Sequence, residues 1–161
     1  MFLTNKATLW LLFALTVVLS LLFAVVILVW DFMLIDEMFD ARQIADHIAA
    51  LSTTQKKVHI WTTATVDVLY PFAYSGLFAG IALKAFGRAG LWLALPALSC
   101  IPVDLTEGFA QVMLLSGNDG YMSLKTLCTP IKLALLFASL IIAILGLLKL
   151  YMAAKASSES Q

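Results

Sequence analysis

Between Ala7 and Trp30 the chain runs for 24 residues with nothing more polar than Thr8, Thr16 and Ser20. At the α-helical rise of about 1.5 Å per residue, such a run outreaches the hydrocarbon core of a bilayer. It predicts a spanning helix, TM1 (7–30). A cleaved leader is the rival reading, but its apolar stretch is about 7–15 residues and closes on a small-x-small site. This run closes on Val29-Trp30-Asp31-Phe32, so it is read as retained.

Three further apolar runs predict TM2 (58–83), TM3 (91–115) and TM4 (124–151). They are separated by Lys84-Ala85-Phe86-Gly87-Arg88-Ala89-Gly90 and by Ser116-Gly117-Asn118-Asp119-Gly120, and clusters rich in Gly, Asn and Asp are where chains turn. Composition agrees: 62% of residues are apolar and 12% charged, whereas a soluble domain is about 45–50% apolar and a quarter charged. The expected fold is all-α and integral to the membrane, one domain over 1–161. It is an antiparallel four-transmembrane-helix bundle with an amphipathic helix in the first extramembrane loop. Pro71, Pro96, Pro102 and Pro130 are expected to kink or start helices, and the polar tail 156–161 to be disordered.

Ten Lys+Arg balance ten Asp+Glu, which leaves no basic footprint for nucleic acid. Beside the spans, Lys6, Lys84, Arg88, Lys149 and Lys155 fall on one side and Arg42, Lys56, Lys57 and Lys125 on the other. Basic residues mark the cytoplasmic side, so five against four places both termini in the cytoplasm. Without an organelle-type leader, a bacterial inner membrane is the expected location. The outer segment 31–57 repeats Ile35, Met38, Phe39, Ala45, Ile48 and Ala49 at helical spacing. Asp36, Glu37, Asp40, Gln43, Asp46 and His47 fall on the opposite face, the pattern of an amphipathic helix on top of the bundle or at headgroup level.

Ionisable residues inside spans are costly and mark candidate sites. Asp67 in TM2, Asp104 and Glu107 in TM3 and Lys132 in TM4 are the four. Counted from the outer ends at Val58, Leu115 and Leu124, Asp67 is nine residues deep and Glu107 and Lys132 eight each. That is roughly 12–13 Å below one surface, with Asp104 a turn deeper. Three carboxyls against one ammonium do not cancel, so the excess must hold protons or meet a cation. These four are the candidate catalytic residues. Tyr70 and Tyr74, at i+3 and i+7 from Asp67, and Thr63, at i−4, share its stripe. Gln111 extends the stripe of Glu107, and these four are the candidate ligand-binding residues.

Other motifs carry less. Gly76-Leu77-Phe78-Ala79-Gly80 allows close helix contact, within the chain or through a homo-oligomer, for which the featureless TM1 is the other candidate face. His47 and His59 form neither a zinc signature nor a haem pair. Cys100 and Cys128 lie about 16 Å apart in depth, too far for a disulfide. No Cys-x-x-Cys, nucleophile elbow, P-loop or HExxH occurs, so no metal or cofactor is expected. Two functions fit. One is a small membrane protein that binds or acts on a lipid-like amphiphile at the carboxylate/Lys cluster. The other is a non-enzymatic subunit or proton-linked carrier in which the cluster is a structural charge network.

Overall fold

The computed structural model describes residues 2–159. Among the described residues there are six α-helices: α1 (Lys6–Trp30), α2 (Ala41–Ala50), α3 (Thr53–Phe86), α4 (Gly90–Leu93), α5 (Leu95–Leu115) and α6 (Met122–Glu159). Short 3₁₀ turns occupy Phe2–Thr4, Ile35–Glu37 and Asp119–Tyr121, and no strand is present among the described residues. Four of the helical segments are long and apolar enough to cross a membrane.

Helix boundaries follow local signals. Ser52 and Gln55 form a reciprocal capping box that starts α3 at Thr53, five residues before the apolar run, because capping satisfies the orphan amides of the first turn. Pro71, Pro102 and Pro130 sit inside helices, while Pro96 lies in the first turn of α5, where its missing N–H costs nothing. α6 continues to Glu159, so the expected disorder from 156 does not begin there; residues 160–161 lie outside the described residues.

The expected single amphipathic helix over the outer loop is instead two pieces. Asp40 caps α2, its Oδ1 accepting from the Gln43 amide at 2.8 Å, and so breaks the periodicity between Met38 and Ala41. Before that break, the Ile35–Glu37 turn points inward. Ile35, Ile44, Phe32 and Leu51 are buried against Leu114 and Leu115 at the end of α5. This apolar plug defines what is called below the α2 end.

α3 is the central helix, in contact with α1, α4, α5 and α6. α1 buries only Thr8 and Leu19 and packs along the Gly76/Gly80 face of α3. A Cβ at Gly80 would fall 2.6 Å from the Leu3 carbonyl oxygen and 2.7 Å from Leu9 Cδ2; at Gly76 it would meet Leu12 Cδ1 at 3.3 Å. The small-residue pair therefore serves contact within the chain. At the same end, Gly90 admits the Ala82 carbonyl, which a Cβ would approach to 2.5 Å. Gly146 of α6 lies against Ile81 and Ala85. All four tryptophans are exposed, Trp30 and Trp61 toward the α2 end and Trp10 and Trp92 toward the other.

Candidate functional site

Three helices build one polar centre from periodic stripes. α5 presents Asp104, Glu107 and Gln111 at i, i+3 and i+7, and α6 presents Lys125, Thr129 and Lys132 at i, i+4 and i+7; all six are buried. α3 contributes Thr63, Asp67 and Tyr74, also buried.

The structure brings Asp104, Glu107 and Lys132 together as the spacing predicted. Lys132 Nζ pairs with Glu107 Oε2 and lies 3.3 Å from Asp104 Oδ1. Asp104 also accepts a hydrogen bond from the Tyr74 hydroxyl, 2.8 Å to Oδ2, and the Cys100 thiol lies 3.4 Å from that hydroxyl. Cys100 and Cys128 are both buried free thiols.

Sequence reasoning missed a second ammonium. Lys125 had been counted among the outer basic residues, yet its side chain is fully buried and its Nζ lies 2.6 Å from Glu107 Oε1. Thr129 Oγ1 accepts from Lys125 and donates to the same carboxylate oxygen, each at 2.6 Å. Lys125 further donates to the backbone carbonyls of Met38 at 3.0 Å and Asp36 at 3.4 Å. The stripe Lys125, Thr129, Lys132 is visible in the sequence. Lys125 lies one residue inside the apolar run, where a flanking interfacial lysine is the ordinary expectation.

A fourth carboxylate was missed as well. Asp36 belonged to the polar face of the presumed outer helix. Because the Ile35–Glu37 turn folds inward, its Oδ1 instead accepts from Gln111 Nε2 at 3.2 Å. Gln111 is thus spent on this contact through its amide nitrogen, while its Oε1 is buried with no partner among the described residues. His59, a turn above Thr63 on α3, is wholly buried beside Phe32, ring centroids 5.4 Å apart. Neither of its ring nitrogens has a partner among the described residues.

Tyr70 does not join the centre. Its hydroxyl lies 3.1 Å from Ser20 Oγ of α1, and its ring meets Phe23 edge-on. At i+3 from Asp67 and with α1 packed alongside, the phenol takes a hydroxyl partner on α1, and its ring meets Tyr74 edge-on, centroids 5.1 Å apart.

Asp67 behaves differently from its neighbours. It is 8% exposed, and its carboxylate has neither a hydrogen bond nor an ion pair among the described residues. It lines a cleft of about 290 Å³ between α3 and α5. Thr63, Ala64 and Val68 form the α3 wall; Asp104, Leu105, Gly108, Phe109 and Val112 form the α5 wall. A Cβ at Gly108 would stand 3.4 Å from both Asp67 Oδ2 and Thr63 Cγ2, so the missing side chain keeps the cleft open opposite the carboxylate. Val68 and Phe109 are exposed and set its mouth on the apolar flank of the molecule.

Chemically the centre divides in two. Asp104, Glu107, Lys125, Thr129, Lys132 and Tyr74 satisfy one another. Asp67 faces the cleft with an acceptor group and no donor. Among the described residues no group of three or more His, Cys, Asp or Glu is placed to hold a metal ion. A second cavity, about 330 Å³, opens at the α2 end between α2 and Lys56, Leu114, Asp119 and Met122, and none of the candidate residues reaches it. Compared with known families, curated proteins and solved structures, the chain matches none.

Proposed function

We propose that this chain is an integral membrane protein, an antiparallel four-helix bundle whose α3–α5 cleft binds a lipid-like amphiphile entering sideways from the hydrocarbon. The observation that carries this reading is the Asp67 carboxylate. A buried carboxyl without a partner is costly, and this one lines an apolar-walled cleft of about 290 Å³, a small but ordinary size for a ligand site. Val68 and Phe109 at the mouth suit an alkyl chain, and Asp67 suits the polar group at its end. There it can accept a hydrogen bond or exchange a proton.

Membrane insertion is supported by the exposed tryptophans. Trp10 and Trp30 of α1 are 20 residues apart, about 30 Å of helix, matching the two interfaces of a bilayer. Orientation gains support as well. With Lys125 and Lys132 buried, the basic residues beside the spans number five at the termini side against three, Arg42, Lys56 and Lys57, at the α2 end. We place both termini in the cytoplasm of a bacterial inner membrane and the α2 end outside.

The structural reading fits the rest of the network. Glu107, Lys125 and Thr129 are fully buried and mutually bonded, and we assign them to holding α5, α6 and the outer turn in register. A photoreactive benzoylphenylalanine at Phe109, at the cleft mouth, tests the binding reading in native membranes. It should capture one amphiphile enriched over the bulk lipids, whereas the same group at Phe137, exposed on α6, should capture the bulk composition. Equal compositions at the two positions would refute ligand binding in the cleft.

A further inference from the structure

The charge balance around the cleft narrows the class of headgroup. Four carboxyls, Asp36, Asp67, Asp104 and Glu107, surround two ammoniums, Lys125 and Lys132. Both ammoniums are committed: Lys125 to Glu107, and Lys132 to Glu107 and Asp104. Asp36 is met by the Gln111 amide. Asp67 alone has no donor, and the neighbouring charges acting on it are mostly acidic: Asp36, Asp104 and Glu107 against Lys132. Neither lysine lines the cleft, and every ionisable group that does is an acid.

An anionic headgroup entering here would meet Asp67 with no cation of its own, beside an Asp104 whose ammonium, Lys132, is already shared with Glu107, and like charges in a low-dielectric site repel strongly. A cation in the same place gives Asp67 the partner it lacks, and charge-assisted hydrogen bonds are the strong ones. Resting on the binding reading above, we propose that the α3–α5 cleft selects an amphiphile with a protonated amine at its head, whose N–H groups bond to Asp67 beside the neutralised Asp104. The apolar walls, from Val68 to Phe109, take the chain. Gly108 admits the head by leaving the space opposite Asp67 unfilled.

The test uses the full-length protein in nanodiscs and three probes with the same diazirine-bearing alkyl chain: a primary amine, an alcohol and a phosphate. Crosslinks to the cleft helices are mapped by mass spectrometry. The amine is expected to label the cleft at a concentration about tenfold lower than either other probe. Asp67→Asn, which removes no bond made within the protein, should abolish that preference. Gly108→Val, which fills the cleft and leaves every charge in place, should abolish labelling there by all three probes. Equal labelling by the alcohol or the phosphate, or an amine preference that survives Asp67→Asn, overturns the headgroup assignment while leaving the cleft a binding site. If no probe labels the cleft in a Gly108→Val-sensitive manner, the binding reading itself fails.

Discussion

Lys125 Nζ and Glu107 Oε1 lie 2.6 Å apart with both side chains fully buried, and the same ammonium donates to the Met38 carbonyl. One group therefore ties α6 to α5 and both to the outer turn. Lys125→Met should cost about 3 kcal/mol, since removing one member of a buried pair strands the other. Hydrogen exchange at 33–40 should rise together with it. Lys125→Met combined with Glu107→Met should cost less than the sum of the two single changes, because neither charge is then left behind. Denaturation midpoints in detergent for the four proteins of this cycle check both points.

Asp67 has no partner to lose. Asp67→Asn is expected to leave the thermal midpoint unchanged or raise it by about 2–4 °C, the equivalent of roughly 1 kcal/mol for a chain of this size. Asp104→Asn, which weakens contacts to Lys132 and Tyr74, should lower it. The two midpoints, compared in the same detergent, separate a carboxylate kept for a ligand from one kept for the frame.

Close approach of α1 depends on Gly80. Gly80→Val would drive a side chain into the Leu3 carbonyl and Leu9 and should loosen α1 by about 2 kcal/mol, within the range for overpacking. Gly76→Ala meets only a movable Leu12 methyl at 3.3 Å and should be nearly neutral. Disulfide trapping between cysteines placed at Leu12 and Gly76, which face each other across α1 and α3, reads the approach directly: capture should occur with Gly80 intact and fall with Gly80→Val.

Orientation is open to a direct measurement. With Cys100 and Cys128 buried, single cysteines at Ser158 and Lys56 can be labelled selectively. An impermeant thiol reagent added to intact cells should react with Lys56→Cys and not with Ser158→Cys; the reverse pattern inverts the topology.

The four long apolar runs carried the helices, and depth arithmetic along them brought Asp67, Glu107 and Lys132 to one level, with Asp104 a turn deeper. Those are short-range properties of a periodic helix. Tyr70 shows the limit of the same arithmetic: sharing a stripe with Asp67 does not decide between α5 and α1 as its neighbour, and it is Ser20 on α1 that meets its hydroxyl. Lys125 and Asp36 were missed for a related reason. Each lies at a span end or in a loop, where water is the default solvent, and only the inward fold of Ile35–Glu37 closes that end. The start of α3 was missed too: the hydropathy reading began this helix at Val58 and passed over the Ser52/Gln55 capping box that starts it at Thr53.

The pairing of α5 carboxylates with α6 ammoniums also imposes an order on biogenesis. A ribosome that has released residues up to Asn118 has delivered Asp104 and Glu107 without any counter-charge, since Lys125 and Lys132 are still to come. Until the last helix arrives, Asp104 and Glu107 lack the ammoniums that meet them in the finished bundle. A chain cut short at that point would keep both acids and lose both cations, so α5 can be neutralised only once α6 has been made.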